Sequence, residues 1–191
     1  MVAFFYGRLT EVKVTVVDYN PEWPDHFEKL RDLIWPTISE LALTLEHVGS
    51  TSVPGLAAKA VIDLDIVISD RSKLSGVIGK LQSLGYEHLG DLGIQGREAF
   101  KAPPSEVKHN LYLCCIDNLA FRNHIMLRDF LRSDLVARDR YAQLKRDLAK
   151  EFPDSIDSYV EGKSQFILEI LSHGGMSSEQ LEMIKKANAV S

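Results

Sequence analysis

Two aspartates, Asp63 and Asp65, stand inside an apolar stretch of the sequence. The stretch reads VIDLDIVI over positions 61–68, and such a run of branched apolar residues predicts a buried β-strand. Residues two apart in a strand point to the same face of the sheet, so both carboxylates are expected on one side. Buried carboxylates are costly unless a cation meets them. The sequence therefore raises the question of which cation does so.

A divalent metal ion is the first candidate for that cation. Mg²⁺ favours one or two protein carboxylates and takes the rest of its ligands from substrate phosphates and water. It also assists phosphoryl transfer by neutralising charge on those oxygens. Asp63 and Asp65 are therefore candidate ligands of Mg²⁺ or Mn²⁺ and candidate catalytic residues. The alternative is that the pair faces solvent at a strand end and is neutralised by Arg or Lys.

A loop of small residues precedes this strand by a few positions. Its sequence, GSTSVPGL at positions 49–56, holds two glycines, three hydroxyl residues and a proline. Glycine permits close approach of the backbone to an anion, and exposed N–H groups with hydroxyls can cradle phosphate. It is not a Walker A loop, because five residues separate Gly49 from Gly55 and Leu56 stands where lysine would follow. Alone, the segment is more typical of an ordinary turn; before an Asp-x-Asp strand, it predicts a phosphate-binding loop.

The bulk composition narrows the class of protein. The chain has 191 residues, 45% of them apolar, and a formal net charge of −5. These values indicate a folded globular domain and make nucleic acid an unlikely partner. No apolar run approaches the roughly 20 residues that span a membrane, so no membrane association is expected. Cys114 and Cys115 are adjacent and exclude a disulfide framework. We expect a cytoplasmic protein.

The periodicity predicts an α+β fold with a small mixed β-sheet flanked by helices and a helical C-terminal portion. Strands are predicted at 13–17, 43–48, 61–68, 97–102 and 109–116, and helices at about 25–41, from after position 70 to 84, and from 118 onward. We expect residues 1–173 to form a single domain. The segment 174–191 is predicted to be a flexible break followed by a short helix at 177–188, which Ser177 and Gln180 begin as a capping box.

Several basic residues fall on inward-looking positions of the predicted helices. Lys163 lies within an apolar stripe and Lys145 borders another, and a lysine facing a core needs an anionic partner or a route out along its stem. His124, Arg128 and Arg132 are spaced four apart and line one side of a helix. These residues, with Arg97 on a strand, could face Asp63 and Asp65 and bind a polyphosphate or an acidic substrate. For Arg128 the alternative is a structural ion pair with Asp129, Asp134 or Glu161.

The segment HVGSTSVPGLAAKAVIDLDIVI at 47–68 resembles the hallmark segment of the GrpB family, a bacterial family placed in the nucleotidyltransferase superfamily. That superfamily's signature is Gly-Ser followed, after about a dozen residues, by Asp-hydrophobic-Asp. The segments GREAF, HNLYL, FRNHIMLRDFLRSDLVARDRYAQLKRDLA and SYVEGKSQFI follow in the family's order. The resemblance covers roughly residues 13–173. It implies a nucleotidyltransferase-type fold, with the loop and the paired acids at the centre of a short mixed sheet.

The resemblance also implies roles for individual residues. Gly49 and Ser50 would hold the phosphates of a nucleotide, with Thr51 nearby. Asp63 and Asp65 would bind the metal. Lys59, just before the strand, would neutralise phosphate charge, although a solvated loop lysine describes it equally well. His47, beside the loop, fits a packed histidine that orients the backbone at least as well as a ligand.

One part of the superfamily pattern is missing from this sequence. Active members usually supply a third carboxylate from a later strand, which activates the attacking hydroxyl or completes a second metal site. The candidate strand, KHNLYLCCI, offers His109, Asn110 and Tyr112 but no acid before Asp117. His109 is our candidate general base, because a histidine titrates near neutrality. Glu98, in GREAF, is the alternative.

Three functions are consistent with these patterns. The first is a Mg-dependent nucleotidyltransferase that uses a nucleoside triphosphate and an unidentified acceptor. The second is a non-catalytic module that binds a nucleotide or phosphometabolite, which the missing acid favours. The third is a regulatory interaction protein whose last helix serves as a docking arm. The apolar stripe of that helix, formed by Leu181, Ile184 and Ala187, predicts packing on this chain or, in a homodimer, on a second subunit.

Overall fold

The structure, a computed structural model, describes the backbone of residues 13–189 and the side chains of residues 13–186. Its strands are β1 Thr44–Val48, β2 Ile62–Ile68, β3 Glu87–Gly90, β4 Arg97–Lys101 and β5 His109–Cys115. Its α-helices are α1 Trp23–Ile38, α2 Leu74–Ser83, α3 Leu119–Ser133, α4 Leu135–Glu151, α5 Ile156–His173 and α6 Ser178–Ala189. Two short 3-10 helices lie at Ser50–Ser52 and Arg71–Lys73.

The five strands form one sheet in the order β1-β2-β5-β4-β3. β2 and β5 run parallel, and each of the other neighbouring pairs is antiparallel. β2 is therefore flanked on both sides, and its sequence, apolar apart from the two aspartates, is typical of a strand in the interior of a sheet. The predicted α+β class with a small mixed sheet and following helices is confirmed.

The two faces of this sheet differ in character. On one face, Ile62, Leu64 and Ile66 of β2 join the main hydrophobic core together with residues of α1 and α2. The intervening residues, Asp63 and Asp65, point to the other face, as the alternation of a strand requires. Helix α3 contacts the sheet at β1 and β5, and α4 and α5 pack against α3. Helices α3–α5 thus cover the face that carries the acids.

Helices α3, α4 and α5 each begin at a side-chain cap. Asn118 accepts a hydrogen bond from the backbone N–H of Ala120, Asp134 from that of Ala137, and Ser155 from that of Ser158. Such caps satisfy N–H groups that the first turn leaves unpaired. Asp134 is also the residue at which α3 ends. Asp134 therefore separates α3 from α4, and the two helices contact each other.

Gly162 allows α4 and α5 to approach each other closely. A Cβ atom at this position of α5 would overlap the Cδ2 atom of Leu148 on α4. The close packing brings the inner faces of the two helices together at the level of the sheet. Lys145 of α4 and Lys163 of α5 consequently line the same pocket.

Two predicted boundaries differ from the structure at the N-terminal side. Residues 13–17, predicted as a strand, form only an isolated bridge in which Val17 and Ala58 exchange backbone hydrogen bonds of 2.9 Å. Helix α1 ends at Ile38, before the predicted position 41. The short strand β3 was missed, because its sequence EHLG is polar, ends in glycine and pairs irregularly at the edge of the sheet.

The last helix packs on this chain. The capping box is confirmed: the backbone N–H of Ser177 donates to Gln180 Oε1 at 3.0 Å, and that of Gln180 donates to Ser177 Oγ at 3.3 Å. Ile184 of α6 is buried in one cluster with Met176 and Leu171. The predicted stripe residue Ala187 lies outside the described side chains. Within residues 13–189, no helix is long and apolar enough to cross a membrane.

Candidate functional site

A pocket of about 840 Å³, which includes space open to solvent, lies between the acidic face of the sheet and helices α3–α5. Nine residues that the sequence predicted for the site line it: Gly49, Ser50, Thr51, Lys59, Asp63, His124, Arg128, Lys145 and Lys163. Asp65, Arg97 and His109 are not among its lining residues. The functional roles of Asp65 and Arg97 stay predictions, and the structure brings most of the predicted set together.

Asp63 lies directly against the glycine of the loop. Gly49 has φ +70°, in the left-handed region that favours glycine, and a Cβ atom there would overlap Asp63 Oδ2. Asn110, the neighbour of Asp63 on β5, donates from Nδ2 to Asp63 Oδ1 at 2.8 Å. Burial raises the pKa of Asp63 to about 6, although the Asn110 bond and the charge of Lys59 act in the opposite direction. The loop therefore needs glycine to approach this carboxylate.

Asp65 is met by a histidine of α3. It is only 1% exposed, and its Oδ2 lies 2.6 Å from Nδ1 of His124, which is also buried. Burial lowers the pKa of His124, while the attraction of Asp65 opposes that shift. Among the described residues, Asp65 Oδ1 and His124 Nε2 have no hydrogen-bond partner. The pair is therefore only half satisfied by the protein itself.

Two buried amines face the loop across the pocket. Lys145 Nζ donates to Ser50 Oγ at 2.8 Å and lies 4.6 Å from the centroid of the Tyr141 ring. Lys163 Nζ lies 4.3 Å from the centroid of the Tyr159 ring. No carboxylate of residues 13–186 comes within 4 Å of either amine. The pocket therefore carries positive charge, or the capacity for it, that the described protein groups leave without an ion pair.

The electrostatics of these amines follow from their burial. Burial lowers the pKa of Lys163 to about 7, and the neighbouring charge of Lys59 adds to the shift while Asp63 opposes it. The pKa of Lys145 is lowered well below its usual value by burial and then by Lys163. Lys59, half-buried, also has a pKa lowered by burial and partly restored by Asp63. An anion in the pocket would stabilise the protonated form of Lys163 and Lys59.

Arg128 on α3 is engaged by the protein. Its Nη1 donates to Glu46 Oε2 at 2.9 Å and to the carbonyl oxygen of His47 at 3.1 Å, and its Nε donates to Asp129 at 2.8 Å. Asp129 is one of the partners named in the structural alternative for this arginine. Glu46, on β1 beside Asp65, was missed, although its alternation with Val48 places it on the acidic face. Arg128 thus ties α3 to β1.

Further polar contacts, made by Arg132 and His47, hold the loop at 49–56 in place. Arg132 donates to the carbonyl oxygen of Ser52 from Nε at 3.1 Å and from Nη2 at 2.7 Å. His47 Nε2 lies 3.0 Å from Thr51 Oγ1, and its ring stacks on Phe27 with centroids 4.9 Å apart. Burial and then the charge of Arg132 lower the pKa of His47 to about 4. His47 is therefore a neutral packed ring that positions the loop, and the Thr51 hydroxyl is engaged with it.

The structure does not bring His109 to the acids. It pairs with Ile62 across β2–β5 and so shares the apolar face, where Nε2 lies 2.8 Å from the Tyr86 hydroxyl and Nδ1 lies 2.8 Å from the Val107 carbonyl. We therefore withdraw His109 as general base. The sequence could have predicted this position: side chains alternate between the two faces along HNLYL, so His109 points to the same apolar face as Leu111.

The alternative third acid, Glu98, is also on the wrong side of the sheet. It pairs with Leu113 and bonds to His88 Nε2 at 2.8 Å. The residue that does stand beside Asp63 on β5 is Asn110, an amide. Arg97 is on the acidic face but outside the pocket: it is 4% exposed, and its guanidinium lies 4.4 Å from the Tyr112 ring centroid.

The family model described as GrpB protein matches residues 13–173. The chain belongs to the GrpB family. It is 32% identical over 155 residues to the UPF0157 protein YqkA of Bacillus subtilis, which covers 81% of this chain but only 45% of YqkA. It is similar to the crystal structure of the conserved protein GrpB from Enterococcus faecalis, with a TM-score of 0.74 and 32% identity over 89% of this chain and 99% of that one.

A more distant likeness connects this GrpB chain with nucleotidyltransferases. The structure of the non-canonical poly(A) polymerase complex GLD-2–GLD-3 matches with a TM-score of 0.55 and 17% identity, over 85% of this chain and 56% of that one. At this identity the likeness shows the fold alone. The nucleotidyltransferase-like fold that the sequence predicted is thus confirmed.

The two aspartates on the acidic face of β2 fit a magnesium ion that is supplied with phosphate ligands. Among the side chains of residues 13–186, no three of His, Cys, Asp and Glu converge on a point where they could hold a metal. Two carboxylates share the face, and one of their oxygens, Asp65 Oδ1, is buried without a partner in that part of the chain. Mg²⁺ commonly takes one or two protein carboxylates and completes its octahedron with phosphate oxygens and water.

Proposed function

We propose that this pocket binds a nucleoside triphosphate together with Mg²⁺ or Mn²⁺ and transfers the nucleotidyl group to an acceptor. The observation that carries the proposal is the buried amine of Lys163, which lines the pocket with Asp63 and has no carboxylate of the described residues within 4 Å. A buried amine in this state calls for an anion. A polyphosphate supplies several negative charges in one ligand.

Each group then has a defined part. Asp63 and Asp65 would hold the metal, which when bound neutralises charge on phosphate oxygens and orients the triphosphate. Gly49 permits the phosphates to approach the backbone beside Asp63. Lys163 and Lys59 stabilise phosphate oxygens. In the protein alone, burial and then the like charge of Lys59 lower the pKa of Lys163.

Isothermal titration calorimetry tests the binding half of this proposal. The parent chain is titrated with each nucleoside triphosphate in Mg²⁺ and again in EDTA, followed by Asp63→Asn and Asp65→Asn. We expect binding that needs the metal and that is lost in both variants, because each removes a charged ligand. Glu98→Gln is the matched control, since it neutralises a buried carboxylate on the opposite face. Absence of metal-dependent binding in the parent, or parent-like binding by Asp63→Asn, would show that the site is wrong.

A second candidate function is a non-catalytic module that binds a nucleotide or phosphometabolite. The observation that favours it is Asn110, which occupies the position on β5 beside Asp63 and donates to it. Without a third carboxylate, an acceptor hydroxyl in the pocket has no carboxylate base from that strand. A pyrophosphate-release assay with candidate acceptors separates the two functions: release supports transfer, and binding without release supports the module.

A further inference from the structure

The hydroxyl of Ser50 and the amine of Lys145 form a pair that nucleotide binding alone does not require. Ser50 Oγ lies 2.8 Å from Lys145 Nζ, and both residues line the pocket. Lys145 is 2% exposed, whereas Ser50 is only half-buried and so is reachable by a ligand. A hydroxyl within hydrogen-bond distance of a base is the arrangement that activates serine nucleophiles.

The surroundings of Lys145 favour its neutral amine form. The side chain packs over the Tyr141 ring and is close enough to Lys163 to be repelled by it. No carboxylate of the described chain pairs with it. In the amine form the direction of the hydrogen bond reverses, and the Ser50 O–H donates to Nζ. Lys163, by contrast, lies over the Tyr159 ring and has no hydroxyl among its described hydrogen-bond partners.

We propose that Ser50 is the first acceptor of the nucleotidyl group, with Lys145 as its general base. The inference rests on the proposed function and divides the reaction into two transfers, one from the triphosphate to Ser50 and one from Ser50 to the acceptor. It is compatible with the amide at Asn110: that strand supplies no carboxylate base, and Lys145 would serve as the base in both transfers.

The first step is balanced as follows. Ser50 Oγ forms a bond to the α-phosphorus, the bond from that phosphorus to the oxygen bridging to the β-phosphate breaks, and pyrophosphate leaves with the electron pair. The Oγ proton goes to Lys145 Nζ. In the second step the acceptor hydroxyl attacks the same phosphorus and the bond to Oγ breaks. Lys145 gives its proton to Oγ, and its neutral amine takes the proton of the acceptor hydroxyl.

Radiolabel transfer tests the inference. The 191-residue chain is incubated with Mg²⁺ and the four nucleoside triphosphates, labelled at the α-phosphorus in one series and at the γ-phosphorus in the other. The protein is then denatured, and the labelled peptide is identified by mass spectrometry. We expect the α-label, and not the γ-label, on the peptide that contains Ser50. Ser50→Ala should lose the label, and Lys145→Met should slow its appearance by roughly 100-fold or more, the usual contribution of a general base.

Ser83→Ala is the matched control for loss of a serine hydroxyl. This serine lies on α2, outside the pocket, and its hydroxyl donates to the carbonyl oxygen of Lys80 at 2.6 Å, so this variant should label like the parent. Thermal melting of Lys145→Met shows whether the variant is folded, and Lys145→Gln provides a second test if it is not.

Three outcomes overturn the inference: γ-label on the protein, α-label that survives Ser50→Ala, or no label on a parent that binds nucleotide by calorimetry. The calorimetric control separates this failure from that of the proposed function. A parent that releases pyrophosphate to an added acceptor without labelling Ser50 is a one-step transferase. A parent that shows no metal-dependent binding contradicts both.

Discussion

The two faces of strand β2 place opposite chemistry on alternate residues of one segment. Ile62, Leu64 and Ile66 pack into the core with α1 and α2, while Asp63 and Asp65 point into the region covered by α3–α5. Side chains on the first face are satisfied by contact with one another. Those on the second face are satisfied only in part, because Asp65 Oδ1 has no partner in the described chain. The first face supplies stability, and the second holds charge ready for a ligand.

The two faces also draw on different parts of the chain. Helices α1 and α2, which cover the apolar face, come from the N-terminal half, and α3–α5 follow the last strand. The later helices bring His124, Lys145 and Lys163 to the strand acids. The site therefore forms only when both halves are folded together. The apolar core between β2 and helices α1 and α2 positions the charged side chains of the opposite face, although those side chains are not part of it.

The largest expected effect comes from the apolar face. Leu64 is fully buried in the main cluster, and Leu64→Ala should lower the free energy of unfolding by about 2–5 kcal/mol, from lost transfer energy and the cavity that remains. Urea denaturation measures the change. Asp63→Asn, one position away, should leave the free energy of unfolding unchanged or slightly higher, because it relieves a buried carboxylate.

A binding experiment tests directly whether the apolar face supplies stability and the acidic face supplies ligand binding. The folded fraction of Leu64→Ala should bind Mg-nucleotide like the parent, whereas Asp63→Asn should not bind it. Loss of binding in a Leu64→Ala sample shown to be folded would mean that the faces are coupled and that the comparison fails.

Much of the site could be predicted from the sequence because its signals are local. The loop at 49–56 and the Asp-x-Asp strand are adjacent in sequence, and strand alternation alone places both acids on one face. Lys145 and Lys163 stood out because they interrupt apolar stripes. The partner of Asp65 was harder to assign: His124 was noted as one of three cations on a helix, but helical spacing does not say which strand residue it meets.

Other features depend on contacts that the sequence does not encode locally. The edge strand β3 is polar and short, so it carries no period-two signal, and only pairing with β4 defines it. Arg128 and Arg132 had the right spacing to face the pocket, yet carbonyl groups of β1 and of the loop compete for them. His109 was assigned as general base because of its residue type, although the alternation of side chains along β5 places it on the apolar face.

Lys163, which lines the pocket beside the acidic face, should make the free energy of unfolding depend on pH. Because the pKa of Lys163 is lowered to about 7 in the folded state, the unfolded chain binds more protons than the folded chain above that pH. Stability should therefore rise as the pH increases from about 7 toward the ordinary lysine value. Lys163→Met removes this contribution, which amounts to about 3 kcal/mol between about pH 7 and about pH 9.5 for one proton.

Denaturation of the parent and of Lys163→Met at both pH values measures the difference in slope. Lys150→Met, an exposed lysine on α4, is the matched control and should keep the slope of the parent. Equal slopes in the parent and in Lys163→Met would mean that Lys163 is ion-paired in solution and is not waiting for an anion.

A smaller change in the free energy of unfolding is expected when a carboxylate is added to the acidic face at Asn110. Asn110→Asp replaces a donor to Asp63 with a second negative charge, which should lower the free energy of unfolding by about 1–2 kcal/mol without metal. Millimolar Mg²⁺ should restore the loss, because a ligand that binds only the folded state stabilises it. Asn110→Ala, which removes the donor without adding charge, should respond less to Mg²⁺. An Asn110→Asp variant indifferent to Mg²⁺ would argue against metal binding at Asp63.

The smallest effect is expected from charges that belong to neither face. Lys101 Nζ and Glu87 Oε2 form an ion pair of 3.3 Å at the edge of the sheet, with side chains 53% and 63% exposed. Solvent and salt screen such pairs, so a double-mutant cycle of Lys101→Ala and Glu87→Ala should give a coupling below about 1 kcal/mol that vanishes in high salt. A coupling of several kcal/mol that survives salt would remove the distinction between exposed charge and the buried charge of the acidic face. A small coupling would leave burial, and not charge itself, as the property that sets that face apart.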